Sequence, residues 1–115
     1  MKELTKAARA LSDVNRLRIL KLLEKRAMCV CELASVIGIT QPSVSRHLKK
    51  LKAEGLVCDK QAGFWTDYYL CCPCAKRPAA LLKQILLFLD NEPQVKVDRR
   101  ATFKLDRKRL CCKGK

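Results

Sequence analysis

Acid is scarce in this chain. Eleven Asp and Glu stand against 25 Lys and Arg in 115 residues, a formal charge of +14. A surplus of that size favours a polyanionic partner, either nucleic acid or an anionic membrane. Long apolar runs are also missing: nothing approaches the roughly 18 residues of a spanning helix. Glu3, Lys6 and Arg9 stand where a signal peptide would be apolar. A cytosolic protein with no membrane partner is expected. Cysteine, by contrast, is plentiful, with eight in the chain; in a reducing compartment these are expected to be thiols for metal or redox chemistry, not a disulfide framework. The length fits one domain with a modest core that calls for a partner subunit. Charge is denser at one end, since residues 91–115 carry nine basic and three acidic groups and residues 1–90 carry sixteen and eight. The chain therefore divides into a body, 1–90, and a basic tail, 91–115.

The body is organised around Thr40 to Leu51. Thr40 is a good N-cap, and Pro42 sits where a missing N–H costs nothing. Val44, Leu48 and Leu51 recur at i, i+4 and i+7 and form one buried stripe. Ser43, Arg46 and Lys50 point away from it, with Gln41, Ser45, Lys49 and His47 towards its flanks. Such a polar face suits a DNA major groove, where Gln and Arg reach base edges while Ser and Lys hold phosphates.

Ahead of this helix, Leu4, Ala7, Ala8 and Leu11 predict a first amphipathic helix over residues 2–11. Ser12 or Asp13 caps a second, from Val14 to about Lys25, whose apolar residues occupy most of its circumference and mark the centre of the core. Its basic strip, Arg18, Lys21 and Lys25, is either a solvated face or a phosphate contact. Val30, Leu33, Ala34 and Ile37 define a third helix ended by Gly38, so the third and fourth helices make a helix-turn-helix. Residues 56–60 and 64–70 flank Gln61-Ala62-Gly63 as a hairpin, hence a wing. Leu82, Ile85, Leu86 and Leu89 form a last helical stripe, with Leu81, Leu87 and Phe88 apolar outside it. A homodimer packing this helix and the first one against their symmetry mates would cover that surplus and set two recognition helices about 34 Å apart. Residues 91–115 show no clean period. The expected fold is α+β, mostly α: a winged helix-turn-helix with extra terminal helices for dimerisation.

Three segments resemble the ArsR/SmtB family of winged-helix metalloregulators, within about Leu4 to Leu89. Ala10 through Leu20 resembles its second-helix signature, Gln41 through Leu48 its recognition helix, and Cys29-Val30-Cys31-Glu32-Leu33 the metal box of its arsenic- and cadmium-responsive members. The resemblance implies a homodimeric repressor that leaves operator double-stranded DNA when a metal ion binds. It implies DNA contacts from Gln41, Ser43, Ser45 and His47, to which the face analysis adds Arg46 and Lys50. A family zinc site of His and carboxylates on the last helix is not expected, because the single histidine, His47, lies in the reading head.

Residues two apart on a regular helix project about 200° from one another and cannot share an ion. If Cys29 lies just before the third helix and Cys31 in its first turn, the non-helical Cys29 can swing to meet it. A helix N-terminus also favours thiolate. Soft thiolates select arsenite or antimonite, or cadmium and lead. The family's third cysteine position is Ala34 here, so Cys111 and Cys112 are the first candidates for further ligands, with Cys71, Cys72 and Cys74 next and Cys58 read as packing. Two alternatives compete: a redox-responsive repressor, and a thiol-dependent arsenate reductase using vicinal cysteines. The reductase lacks a phosphate-cradling glycine loop, and no enzyme is expected.

Overall fold

The computed structural model describes residues 1–71 and 77–105. Cys72, Cys74, Cys111 and Cys112, all weighed above as thiol ligands, lie outside the described residues. Eight elements follow one another: α1 Lys2–Leu11, α2 Val14–Leu23, α3 Val30–Ile37, α4 Gln41–Ala53, β1 Val57–Ala62, β2 Trp65–Leu70, α5 Arg77–Phe88 and α6 Pro93–Thr102. The fold is mostly helical with a two-stranded antiparallel wing, as the sequence predicts.

The caps explain the boundaries. Asp13 starts α2 by accepting a hydrogen bond from the Arg16 amide at 3.1 Å. Gly38 ends α3 at φ 82°, a left-handed conformation that an L side chain adopts only at a cost. Thr40 then starts α4, its hydroxyl accepting from the Ser43 amide at 3.3 Å. The core gathers Ile19, Leu20, Leu33, Val44, Leu48 and Leu51, all at most 1% exposed, so α2 is its centre and α3 and α4 close over it.

The wing is one residue later at its start than expected and longer at its tip. Val57 pairs with Leu70 and Ala62 with Trp65, leaving Gly63 and Phe64 as the turn. Met28, just before α3, joins this hairpin as an isolated bridge: its N–H donates to Tyr68 O at 3.0 Å, and its carbonyl accepts from Tyr68 N at 2.8 Å.

Three expectations need correction. Two of the three members of the basic strip of α2 are engaged inside the protein and do not form a solvated face. Arg18 is engaged with Asp98 through two bonds of 2.8 and 2.9 Å. Lys21 is 2% exposed, held by Glu24, Asp90 and the Leu86 carbonyl. The second correction concerns residues 93–102, expected in the tail without periodicity. They form α6, which lies on α2 and α3. Its inward face joins one apolar residue, Val95, to the polar contacts of Asp98 and Arg99, and hydrophobic spacing cannot register that mixture. Thirdly, Leu4 and Ala8 of the predicted α1 stripe are exposed, while Ala7, Ala10 and Leu11 face the core.

Candidate nucleic-acid interface and thiol site

On α4 the apolar stripe is sunk and the rest faces out. Gln41, Ser45, Arg46, Lys49 and Lys50 are exposed, and Ser43 and His47 are half-buried. Arg46 is organised before any ligand arrives: its Nη2 donates to Ser43 Oγ at 3.1 Å, and that oxygen also accepts from Thr40 Oγ1 at 2.9 Å. At the far end of the helix Lys52 pairs with Asp59 of β1 at 2.9 Å. Both groups meet solvent, so the pair contributes orientation more than stability.

His47 is set by Arg16, a residue that sequence reading placed only within a family signature. The Arg16 guanidinium is buried; its Nε donates to Ala10 O at 2.6 Å and its Nη2 to Arg9 O at 3.0 Å, the second a carbonyl at the end of α1 that also accepts from the Ser12 amide and hydroxyl. Its Nη1 lies 3.3 Å from His47 Nδ1. Arginine has no acceptor, so Nδ1 must accept, and the imidazole is neutral with its proton on Nε2. One guanidinium thus ties α1, α2 and the reading helix together.

Burial pushes the His47 imidazole below its ordinary pKa; Asp13 opposes this, and Arg16, Lys50 and Arg46 push the same way. Burial raises the Asp13 carboxyl, yet the Arg16 amide, the charge of His47 once acid has protonated it, and the charge of Arg16 outweigh it and hold it below the usual value. A neutral folded His47 means that, as pH falls through the ordinary histidine value of about 6.5, the unfolded chain takes up a proton the folded one refuses. That stability is lost progressively and is gone below the depressed folded pKa. Asp13 keeps its contribution above the ordinary carboxyl range and loses it as pH falls through its folded value. Melting temperature should therefore fall in two stages on acidification, the first absent from His47→Gln. An unchanged first stage in that variant would refute the assignment.

The thiols occupy the start of α3. Cys29 is its N-cap, with extended backbone at φ −92° and ψ 170°; its sulfur accepts from the Glu32 amide while the Glu32 side chain accepts from the Cys29 amide. Cys31 lies in the first turn. The geometry is the one the Cys-x-Cys spacing requires: Cys29 is off the helical lattice, so the two side chains are not bound to opposite faces. Cys29 is buried and Cys31 half-exposed. Glu32 is buried and neutralised by Arg26 at 2.9 Å, which limits the repulsion a thiolate there would feel. Among the described residues no group of three or more His, Cys, Asp and Glu could hold a metal ion. Two sulfurs suit a soft, low-coordinate ion, and any further donor lies elsewhere.

The wing carries a second pair of sulfurs. Cys58 of β1 and Cys71, just after β2, are joined by a disulfide with Cα atoms 5.3 Å apart. Both were expected to be thiols, with Cys58 a packing residue. Register is the reason they meet: Cys58 lies opposite Tyr69, and Cys71, two residues on, shares that face as its diagonal neighbour.

A helix-turn-helix with an exposed basic recognition helix and a paired wing defines a DNA-binding regulator of the winged type. Residues 13–58 match the model of the arsR family of bacterial regulatory proteins. A helix-turn-helix-type transcriptional regulator of Methanocaldococcus jannaschii is 42% identical over 74 residues, which are 61% of this chain and 83% of that one. The chain belongs to the arsR family and is a transcriptional regulator, not an enzyme. The arsenical resistance operon repressor of Escherichia coli is 43% identical over 61 residues, 52% of each protein, so this chain spans about half of that relative. Among solved structures, the homodimeric winged helix-turn-helix domain of a possible ArsR-family regulator from Mycobacterium bovis superposes with a TM-score of 0.67 at 26% identity, over 77% of this chain and 80% of that one. No helix among the described residues is long and apolar enough to cross a membrane.

Proposed function

We propose that the protein is a homodimeric repressor that releases operator DNA when arsenite or antimonite binds thiolates at Cys29 and Cys31. Gln41, Ser43, Ser45, Arg46, His47 and Lys50 form its DNA-reading face. The observation that carries this reading is the position of the two thiols. They sit at the N-terminus of the helix that supports α4, and the residue before them is hydrogen-bonded in both directions to the wing. An ion that draws Cys29 towards Cys31 pulls on Met28 and Glu32 together, so one event disturbs both DNA-contacting elements. Arsenic-named relatives such as the E. coli repressor support the choice of inducer. Cys111 and Cys112, in the basic tail that follows the body, supply the remaining sulfur in this reading.

Dimerisation uses the outward faces of α1 and α5. Leu4, Leu87 and Phe88 are 59%, 56% and 83% exposed, apolar side chains that a symmetry mate packed on these helices would cover.

The test is a titration of a duplex selected from a random-sequence pool, with and without arsenite, antimonite, cadmium, zinc and peroxide. Coupling of about 1–3 kcal/mol corresponds to a fall in affinity of about 5- to 150-fold. Arsenite should produce it, and Cys29→Ser should abolish the response while leaving DNA binding intact. Equal affinity with and without arsenite, or a Cys29→Ser protein that still responds, would overturn the reading.

A further inference from the structure

We infer that Cys58 and Cys71 form an oxidisable dithiol, separate from Cys29 and Cys31, that locks the wing in its paired form when a hydroperoxide converts it to the disulfide. A two-stranded hairpin alone is only marginally stable in water. Here Gly63 and Phe64 close one end of the ladder. At the other, the last backbone bond runs from Cys71 N to Leu56 O at 3.2 Å. The Cys58 to Cys71 bond lies at that open end, 13 residues apart in sequence, and makes the whole wing a closed ring. Reduction removes the closure and leaves the Met28 bridge, the ladder and the packing of Leu56, Val57, Tyr68 and Leu70 on the core to hold the base of the wing, with the tip beyond them free to fray.

Both side chains are half-exposed, so an oxidant in solution can reach them. Their Cα separation of 5.3 Å falls within the range a disulfide spans without backbone movement. The chemistry balances. One thiolate attacks a peroxide oxygen; an S–O bond forms, the O–O bond breaks, and an alcohol, or water from hydrogen peroxide, leaves. The second thiolate then attacks the sulfenyl sulfur, an S–S bond forms, and the hydroxyl departs as water. Two thiols have lost two electrons and the peroxide has gained them. A dithiol reductant reverses the state through a mixed disulfide.

The consequence lies in binding. A wing already ordered does not have to be ordered on the duplex, so the oxidised protein holds DNA more tightly. The device needs neither arsenite nor the α3 thiols, and it stands whether or not the inducer proposed above is correct.

The 115-residue chain carrying Cys29→Ser and Cys31→Ser, in dithiothreitol or after stoichiometric hydrogen peroxide, tests this without interference from the first site. Peptide mapping of the oxidised sample should show a Cys58 to Cys71 link. Amides of residues 57–70 should exchange more slowly, and the pool-selected duplex should bind about fivefold more tightly or better, the lower end of ordinary coupling between sites. Cys58→Ser in the same background should bind DNA like the reduced protein and ignore peroxide. If Cys58 and Cys71 stay open to alkylation after peroxide, pair with other cysteines instead, or form the link with no change in exchange or affinity, the inference is wrong.

Discussion

Arg18→Ala should destabilise the protein by about 3–5 kcal/mol, the cost of leaving a buried charge without its partner. Asp98 has only 3% of its side chain in contact with solvent, and Arg18 meets both of its oxygens. Asp98 in turn holds the Arg18 guanidinium above its ordinary pKa, chiefly through the hydrogen bond. With the arginine gone, the carboxylate keeps one amide bond, from Gln94 Nε2 at 2.9 Å, and α6 loses its principal hold on α2. The double variant Arg18→Met, Asp98→Leu should recover most of the loss, because two apolar groups leave nothing unpaired. Urea unfolding of the three proteins decides the matter; a single variant as stable as the parent would show that the pair contributes no net attachment of α6.

The second large effect is expected at Lys21. Its stem is packed in the core and its ammonium donates to the Leu86 carbonyl at 2.9 Å, in the last turn of α5, where helical carbonyls run out of amides. The same nitrogen meets Glu24 at 2.7 Å and Asp90 at 2.5 Å, and Arg99 reaches Glu24 at 3.2 Å. The Lys21 hydrogen bond holds the Asp90 carboxyl below its usual pKa, so this attachment weakens in acid as Asp90 takes up its proton. Lys21→Ala removes the buried stem and opens a cavity, a change that costs about 2–5 kcal/mol in comparable core positions. Lys21→Met keeps the volume and should cost clearly less, since Glu24 and Asp90 retain Arg99 and solvent. Equal losses in the two variants would mean that the ammonium, not the stem, carries the effect.

These two residues show where sequence reading stops. Arg18 and Lys21 look like part of a basic strip on a helix, the kind of face that contacts solvent or phosphate. Nothing in the local pattern indicates that Asp98, 80 positions away, and Asp90, 69 away, will neutralise them. For the same reason α6 has no apolar period to detect: its inward residues are Val95 and Asp98, one of them charged. Arg16 is a similar case. Its importance comes from meeting two carbonyls of α1 and an imidazole of α4, three groups that converge only after folding.

The reading helix behaved otherwise. Thr40, Pro42 and the Val44, Leu48, Leu51 stripe are local signals, and each acts through neighbours within two turns, so its start and its buried face were legible. Gly38 and the Cys29 N-cap belong to the same class. The loop cysteines do not: a strand periodicity indicates which face Cys58 occupies, but only the register of β1 against β2 decides that Cys71 shares it.

Short-range patterns therefore determined the helix-turn-helix, the existence of the wing and the placement of the two α3 thiols, because capping and amphipathic spacing are settled by residues a few positions apart. Tertiary structure alone decided which cations remain available for a polyanion, which cysteines meet, and that residues 93–102 belong to the packed body. Those outcomes depend on pairings across tens of residues, where charge and sulfur act by proximity in space, and proximity is what folding supplies.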